Sequence, residues 1–449
     1  MGQPRKASLV IKYVAKDRIL LASVFMSMLL ATVLSAGAPI YLKSLEQLAF
    51  NTSLERLPEA GLLVHVLAPK TVLSPQGINE ADNALNDAIL GTLSEAYIGH
   101  EKYLRGNRQL VGHPEHPIPS SGVAGLNITR GFLQHLSSLE DHVQILEGRM
   151  PLDRVTLTPE GPELDAVVSE EVADGFDLQI TDLLRLRPTV DSKSEILVRI
   201  VGVIESGDPS SEYWRFAKLY METPPLELNI PTGLEDVVTE GFDIPEVHML
   251  PMFVTENAMV DAVTNVYPGA LAKPNWFILL DKNRVTKWSV LESGQRMESF
   301  RDSIISSMPG SAVTAVTMQT LIDNLNERRL LTQIPMLVLM LIMVSTILFF
   351  IVMMVSYIVS NRERDASLLR SRGASIFEIL RLYSLEGIVM VLITMLSAPF
   401  IALILVASTG LLPYFEDLTH GNLLPIRIDI WPFSMAALAG ILCLTILVI

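Results

Sequence analysis

Cysteine is all but missing from this chain: Cys443 is the single thiol among 449 residues. No intrachain disulfide can form, so each polar segment must hold itself together with a packed core, and Cys443 reads as a small apolar packing residue. The sequence also lacks C-x-x-C, H-E-x-x-H, G-x-S-x-G and G-x-x-x-x-G-K-[ST]. Those gaps remove the usual signatures of zinc binding, nucleophilic acyl transfer and nucleotide-phosphate binding. His113 and His116 form an H-x-x-H pair, but a proline follows each and no further ligand stands at a recognised spacing, so the pair reads as a solvated turn. The expectation is a chain with no cofactor, no metal and no catalytic residue. Charge is scarce as well: 18% charged against 49% hydrophobic residues, with a mean hydropathy of +0.38, is too apolar for an ordinary soluble protein of this length.

The apolar excess is concentrated in four places, Ile19 to Leu42, Ile334 to Ser360, Gly387 to Phe415 and Ile430 to Ile449. Each runs for about 20 residues or more without a charge, enough to cross a bilayer as helix. The first is too long for a signal-peptide core and ends in no crisp cleavage site. Arg5, Lys6, Lys12, Lys16 and Arg18 precede it, and Arg362, Arg364, Arg370, Arg372 and Arg381 follow the second span, so both flanks are expected in the cytoplasm and the insert between them outside. Residues 43–332 carry 23 lysines and arginines against 41 aspartates and glutamates, an acidic balance that argues against nucleic acid as a partner. The fourth span ends at Ile449 without a basic flank, which reads as a truncated chain, the first part of a longer protein.

The reading is thus an α+β membrane protein with four transmembrane helices, the last incomplete, and a large α+β extracytoplasmic domain inserted between helices 1 and 2. The segments are 1–18 cytoplasmic, 19–42 first span, 43–332 extracytoplasmic, 333–360 second span, 361–386 cytoplasmic loop, 387–415 third span, 416–429 outer loop and 430–449 fourth span. Within the insert, Leu62 to Leu67 reads as a buried strand and Asn79 to Ile98 as a helix capped by Asn79 or Asp82. Proline and glycine crowd Gly106 to Gly125, which reads as loop. Strands at Gln144 to Leu146, Ala166 to Ser169, Leu183 to Arg187 and Ile196 to Ile204, with a short acidic helix through Phe176, form a β-rich piece at about 143–206. Trp276 to Leu280, a helix from Lys287 to Met308 and a strand from Ala312 to Val316 make a β-α-β unit, completed by the first strand and helix, with the β-rich piece as an excursion. Residues 317–332 continue as a helical stalk.

The densest chemistry lies in Arg362-Glu363-Arg364-Asp365-Ala366-Ser367-Leu368-Leu369-Arg370-Ser371-Arg372-Gly373-Ala374-Ser375, followed by Ile379-Leu380-Arg381 and Leu385-Glu386-Gly387. Its apolar positions mixed with arginines suit a short helix at the membrane surface. Gly373 allows a break or a close approach, and Ser375 can cap the segment from Ile376 with Glu378 at its third position. Glu386, a turn beyond Arg381, has to reach the interface or pair with a base to be tolerated there.

This loop resembles that of FtsX/MacB-type ABC permeases, of the form R-x-R-E-(I/L)-x-L-L-R-x-(L/R)-G-A-S followed by L-E-G or L-E-A. Asp365 replaces the usual glutamate, and Ala366-Ser367 an apolar-Gly pair. The insert is similar to a MacB-like periplasmic domain in its Gly148-Arg149 element, its Val168-Ser169-Glu170 strand-to-helix junction and its closing Val201-Gly202-Val203. Thr181-Asp182 departs from the family's Gly-Asp turn. The resemblance implies a bacterial inner-membrane, multi-pass permease subunit with a cytoplasmic N-terminus, itself no enzyme. Its expected partners are a separate cytoplasmic ABC ATPase and a second permease unit, as homodimer, heterodimer or fused second half. Arg362, Arg364, Asp365, Leu369, Arg370, Gly373, Ala374, Ser375 and Glu386 would form the ATPase-coupling loop. The implied output is mechanotransmission to the exterior domain, expelling a lipid, lipoprotein, peptide or drug; the alternative is a regulatory scaffold activating an extracytoplasmic cell-wall hydrolase.

Overall fold

The computed structural model describes residues 18–57, 62–113, 117–118, 129–208, 211, 213–214, 217, 221, 249–315, 318–324, 338, 341–349, 352–353, 356, 376–427 and 429–448. The chain divides into two compact units, one of residues 57–320 and one of residues 1–56 with 321–449.

The unit 57–320 is mixed α+β. Its strands are β1 (Leu63–Leu67), β2 (Thr71–Val72), β3 (Tyr97–Gly106), β4 (Gln109–Gly112), β5 (Arg130–Leu136), β6 (Val143–Gly148), β7 (Val155–Thr158), β8 (Gly161–Ser169), β9 (Leu183–Arg187), β10 (Ile196–Ser206), β11 (Met249–Phe253), β12 (Leu271–Leu280) and β13 (Ala312–Thr314). All thirteen join one sheet, in the order β11-β8-β10-β9-β4-β5-β3-β12-β1-β13. Because β11 also pairs with β5, the first six of that order close into a barrel, and the sheet runs on from β5 as an open extension. The β-rich piece expected at 143–206 is therefore not a separate excursion. Its strands are completed by β4, β5 and β11 from outside that range, and β5 belongs to barrel and extension alike.

The helices of this unit are set by local chemistry. In the numbering used below, α1 is Arg18–Arg56 of the other unit, and the main helices here are α2 (Pro75–Thr92), α3 (Glu170–Phe176), α4 (Glu256–Val266) and α5 (Val290–Ser307). The helix expected from Asn79 starts earlier, because the Ser74 hydroxyl accepts from the Gly77 amide and Pro75 occupies the first turn, where its missing N–H costs nothing. It also ends earlier, since Tyr97 and Ile98 begin β3. Strand β4 stands within the stretch read as loop after Gly106. Helix α5 opens with a capping box between Ser289 and Glu292. It packs on α2, and β12, β1 and β13 lie beneath in a split β-α-β arrangement with β1 in the middle. The barrel core combines Leu164, Ala166, Val168, Leu184, Leu186, Val198 and Ile200 with Met259, Ala262 and Val263 of α4.

The second unit is mostly helical in its described parts. Here α6 is Ile376–Thr409 and α7 is Trp431–Val448. Among the described residues two helical stretches are long and apolar enough to cross a membrane, Ala22–Arg56 and Gly387–Thr409, and Trp431–Thr445 is a shorter apolar one. Residues 341–349, within the second expected span, are also helical. Helix α1 does not end at Leu42 but continues to Arg56; at about 1.5 Å per residue its 39 residues reach far beyond a bilayer core. The third apolar helix ends at Thr409 instead of 415, where the chain turns at Gly410: a Cβ there would come within 2.5 Å of the Leu424 amide nitrogen.

Small residues line the seams between these helices. A Cβ on Gly37 would lie 3.7 Å from that of Ala402, and Ala36, Ala398, Ala402 and Ala436 share one buried cluster. Val24, Met28, Ala31, Val391 and Cys443 form a second, with Ile347 and Leu348 against it, so members of all four apolar segments meet there. Large side chains such as Leu30, Leu341, Phe349, Leu396, Ile404 and Leu438 point outward instead.

Candidate functional site

Of the residues expected to couple to an ATPase, Arg362, Arg364, Asp365, Leu369, Arg370, Gly373, Ala374 and Ser375 lie outside the described residues. Glu386 falls within α6, one residue before the buried Gly387. The segment from Ile376 to Arg381 differs from the surface helix expected of it: it is the first part of the same helix that carries the third apolar segment, with no break before Thr409. An uninterrupted i to i+4 ladder satisfies every backbone group across the junction, which a bend at the membrane surface would not.

The motifs of the insert converge on β10. Gly148, at the end of β6, faces Gly202 of β10 and adopts φ +77°; a Cβ there would sit 2.1 Å from the Val201 carbonyl oxygen. Only glycine fits both the backbone and the space. The next residue, Arg149, donates its backbone amide to that carbonyl and its guanidinium to Asp165 of β8 at 2.7 Å. Ser169 caps α3 by accepting from the Val172 amide, while its own hydroxyl donates to the Met221 carbonyl. Thr181 donates its amide to Ile200 of β10, and the Asp182 carboxylate accepts from the Gln179 amide. Thr181 takes φ +82°, a conformation that a β-branched residue adopts only under strain. The Gly148-Arg149, Ser169-Glu170, Thr181-Asp182 and Val201-Gly202-Val203 elements thus hold one strand in register. Nothing in this arrangement supplies a nucleophile beside a base.

A charged cluster that the sequence does not announce lies on β3. The nearly buried Lys102 ammonium donates to Asp82 of α2 at 2.7 Å and to Glu256 of α4 at 2.6 Å. Asp82 also accepts from the Trp276 indole, and Glu256 lies 3.9 Å from His135 of β5. His135 Nδ1 is 3.1 Å from the Val254 carbonyl, which can only accept, so that nitrogen carries the proton. Burial holds the His135 pKa below its ordinary value, against the opposing pull of the Val254 hydrogen bond and Glu256. The partners of Lys102 are 20 and 154 positions away in the chain, a spacing that matches no short motif. Chemically, the cluster ties two helices to the sheet.

His113 is half-buried, with Nε2 3.4 Å from Asp182, in place of the solvated turn expected for it; His116 lies outside the described residues. It borders a cleft of about 290 Å³ with Ile118, Leu183, Arg185, Arg187 and Glu195. The buried Glu195 carboxylate accepts from both arginines, and Arg185 also meets Glu160, so the charges lining the cleft are answered within the protein. Among the described residues no group of three or more His, Cys, Asp and Glu side chains is placed to hold a metal ion.

No protein-family model matches the chain, and no curated protein matches it.

Proposed function

We propose that this chain is the membrane permease subunit of an ABC transporter of the FtsX/MacB type, with four spans, a cytoplasmic N-terminus and residues 57–320 outside a bacterial inner membrane. The observation that carries the reading is one of connectivity. A compact α+β unit interrupts a set of apolar helices that pack through alanine and glycine and turn their large side chains outward. That is the pattern of helices solvated by lipid, where close approach through small residues replaces hydrophobic burial. The Arg362 to Ser375 sequence adds the expected contact for a separate ATPase.

On this reading the chain hydrolyses nothing. Two permease units pair, an ATPase dimer grips their loops, and the difference in its grip between nucleotide states shifts the helices. Helices α1 and α6, each longer than a bilayer needs, carry that displacement, with Pro39 and Pro399 inside them as the points where each can bend. The output is expulsion of a lipid, lipoprotein, peptide or drug presented at the outer surface.

The test is gentle purification from native membranes. A separate ATPase should co-purify, and the isolated chain should turn over no ATP. Sustained hydrolysis by the isolated chain, or membranes in which no ATPase accompanies it, would overturn the assignment.

A further inference from the structure

Between α6 and α7 the chain does not simply reverse. Phe415 and Leu424 are buried in the cluster that also holds Ile40 and Leu48 of α1. The Thr419 hydroxyl, itself buried, is 2.9 Å from the carbonyls of both Gly410 and Phe415, and the Leu424 amide donates to Ala407. Lys43 and Asp429 form an ion pair that ties the end of the loop to α1. The segment 410–430 is therefore anchored from beneath at several points.

Its outward side chains are the opposite of what a loop in water selects. Leu411, Leu412, Tyr414, Leu423 and Ile430, with Trp431 at the start of α7, are all more than half exposed, Tyr414 at 85% and Ile430 at 77%. An ordered loop that could have turned these groups inward, and buries Phe415 and Leu424 instead, has another apolar phase to meet. The patch is continuous along the chain with the outward apolar faces of α6 and α7, including Ile404, Leu405 and Leu438. Tyrosine and tryptophan at such a boundary fit the headgroup level, where one end of the ring is apolar and the other wet. Glu416 and Asp417 are exposed in the same loop, so anionic headgroups would be repelled and not recruited.

We infer that the 410–430 loop is an interfacial wedge seated in the outer leaflet, its occupant being zwitterionic phospholipid contacted through apolar side chains. This rests on the spanning reading of α6 and α7. It adds that the connection between them displaces lipid at the membrane surface, where a cargo expelled outward would leave the leaflet.

The test uses the full chain with Cys443→Ala and single cysteines at Tyr414, Leu423, Asp417, Leu396 or Leu90, each labelled with bimane. The protein is reconstituted in phosphatidylcholine vesicles carrying a doxyl quencher at carbon 5 or carbon 12 of the acyl chain. Leu396, 70% exposed within α6, reports on spanning, and Leu90, 69% exposed on α2, reports on water. The Tyr414 and Leu423 probes should lose at least about half their emission to the shallow quencher and less to the deep one, and added anionic lipid should not strengthen that quenching. The Leu396 probe should show the reverse preference, and Asp417 and Leu90 should stay bright. If Leu396 is quenched while Tyr414 and Leu423 stay bright, the wedge is overturned and the spanning reading stands, whether water or a second copy of the chain covers the loop. If Leu396 also stays bright, both readings fall.

Discussion

Thr181 is the residue at which local preference and the fold disagree most openly. Its φ of +82° is imposed by the turn that delivers its amide to Ile200 and the Asp182 carboxylate to Gln179, and none of those hydrogen bonds uses the threonine side chain. Thr181→Gly should therefore stabilise the protein by about 1 kcal/mol, the strain of a non-glycine residue in this region outweighing the added freedom of the unfolded chain. Urea unfolding followed by tryptophan fluorescence reads this directly, and an unchanged or lower midpoint would show that the turn is relaxed. Gly148 is the converse. Gly148→Ala should cost about 3 kcal/mol, combining a positive φ with overlap on the Val201 carbonyl. Gly99→Ala, where a Cβ meets nothing within 4 Å, should change stability by no more than about 0.5 kcal/mol in the same assay.

Among the elements, β3, β5 and β1 each carry a histidine that burial holds below its ordinary pKa of 6.5, His100, His135 and His65. The unfolded chain takes up these protons at a higher pH than the folded one does, so stability is complete above about pH 6.5 and falls as the pH drops towards the folded-state values. Unfolding midpoints should decline from pH 7 to about pH 5, and His135→Asn, whose amide can still donate to Val254, should flatten that decline. A variant as acid-sensitive as the parent would show that His135 is not one of the groups responsible. The Lys102 cluster belongs to this scale too. It joins β3 to α2 and α4, and Lys102→Met should destabilise by about 2 to 4 kcal/mol by leaving Asp82 and Glu256 without their counter-charge, although both carboxylates keep some solvent. Denaturation of this variant against Lys43→Met, whose pair with Asp429 is more exposed than the Lys102 cluster, separates the two degrees of burial.

For the whole molecule the decisive prediction concerns the loop from Arg362 to Ser375. Gly373→Val should disrupt ATPase docking through backbone conformation and bulk, and Arg370→Glu through charge, while neither changes the apolar segments or enough of the flanking arginines to invert topology. Membrane abundance should stay near that of the parent while ATPase association and transport-linked activity fall together. Full association in both variants would reduce the loop to a topology signal and remove the main support for mechanotransmission.

What was legible in the sequence is what local chemistry controls. The strands at Leu63–Leu67 and Leu183–Arg187 announce themselves through alternation, with Val64, Val66, Leu184 and Leu186 on the buried face, and Ile196–Ser206 through a nearly continuous apolar run, because that strand is paired on both edges and covered on both faces. The helix α5 shows in the amphipathic pattern of Lys287 to Met308, and the apolar segments in length without charge. The acidic balance, the single thiol and the absence of a phosphate loop likewise needed no coordinates. Tertiary structure alone decided that β5 pairs with β11 to close a barrel, since strand partners far apart in the chain are chosen by total burial and not by any local preference. It alone brought Lys102 between Asp82 and Glu256, placed Gly148 against Gly202, and carried α1 on to Arg56. In each case the deciding energy comes from a neighbour distant in sequence, which periodicity and spacing cannot register.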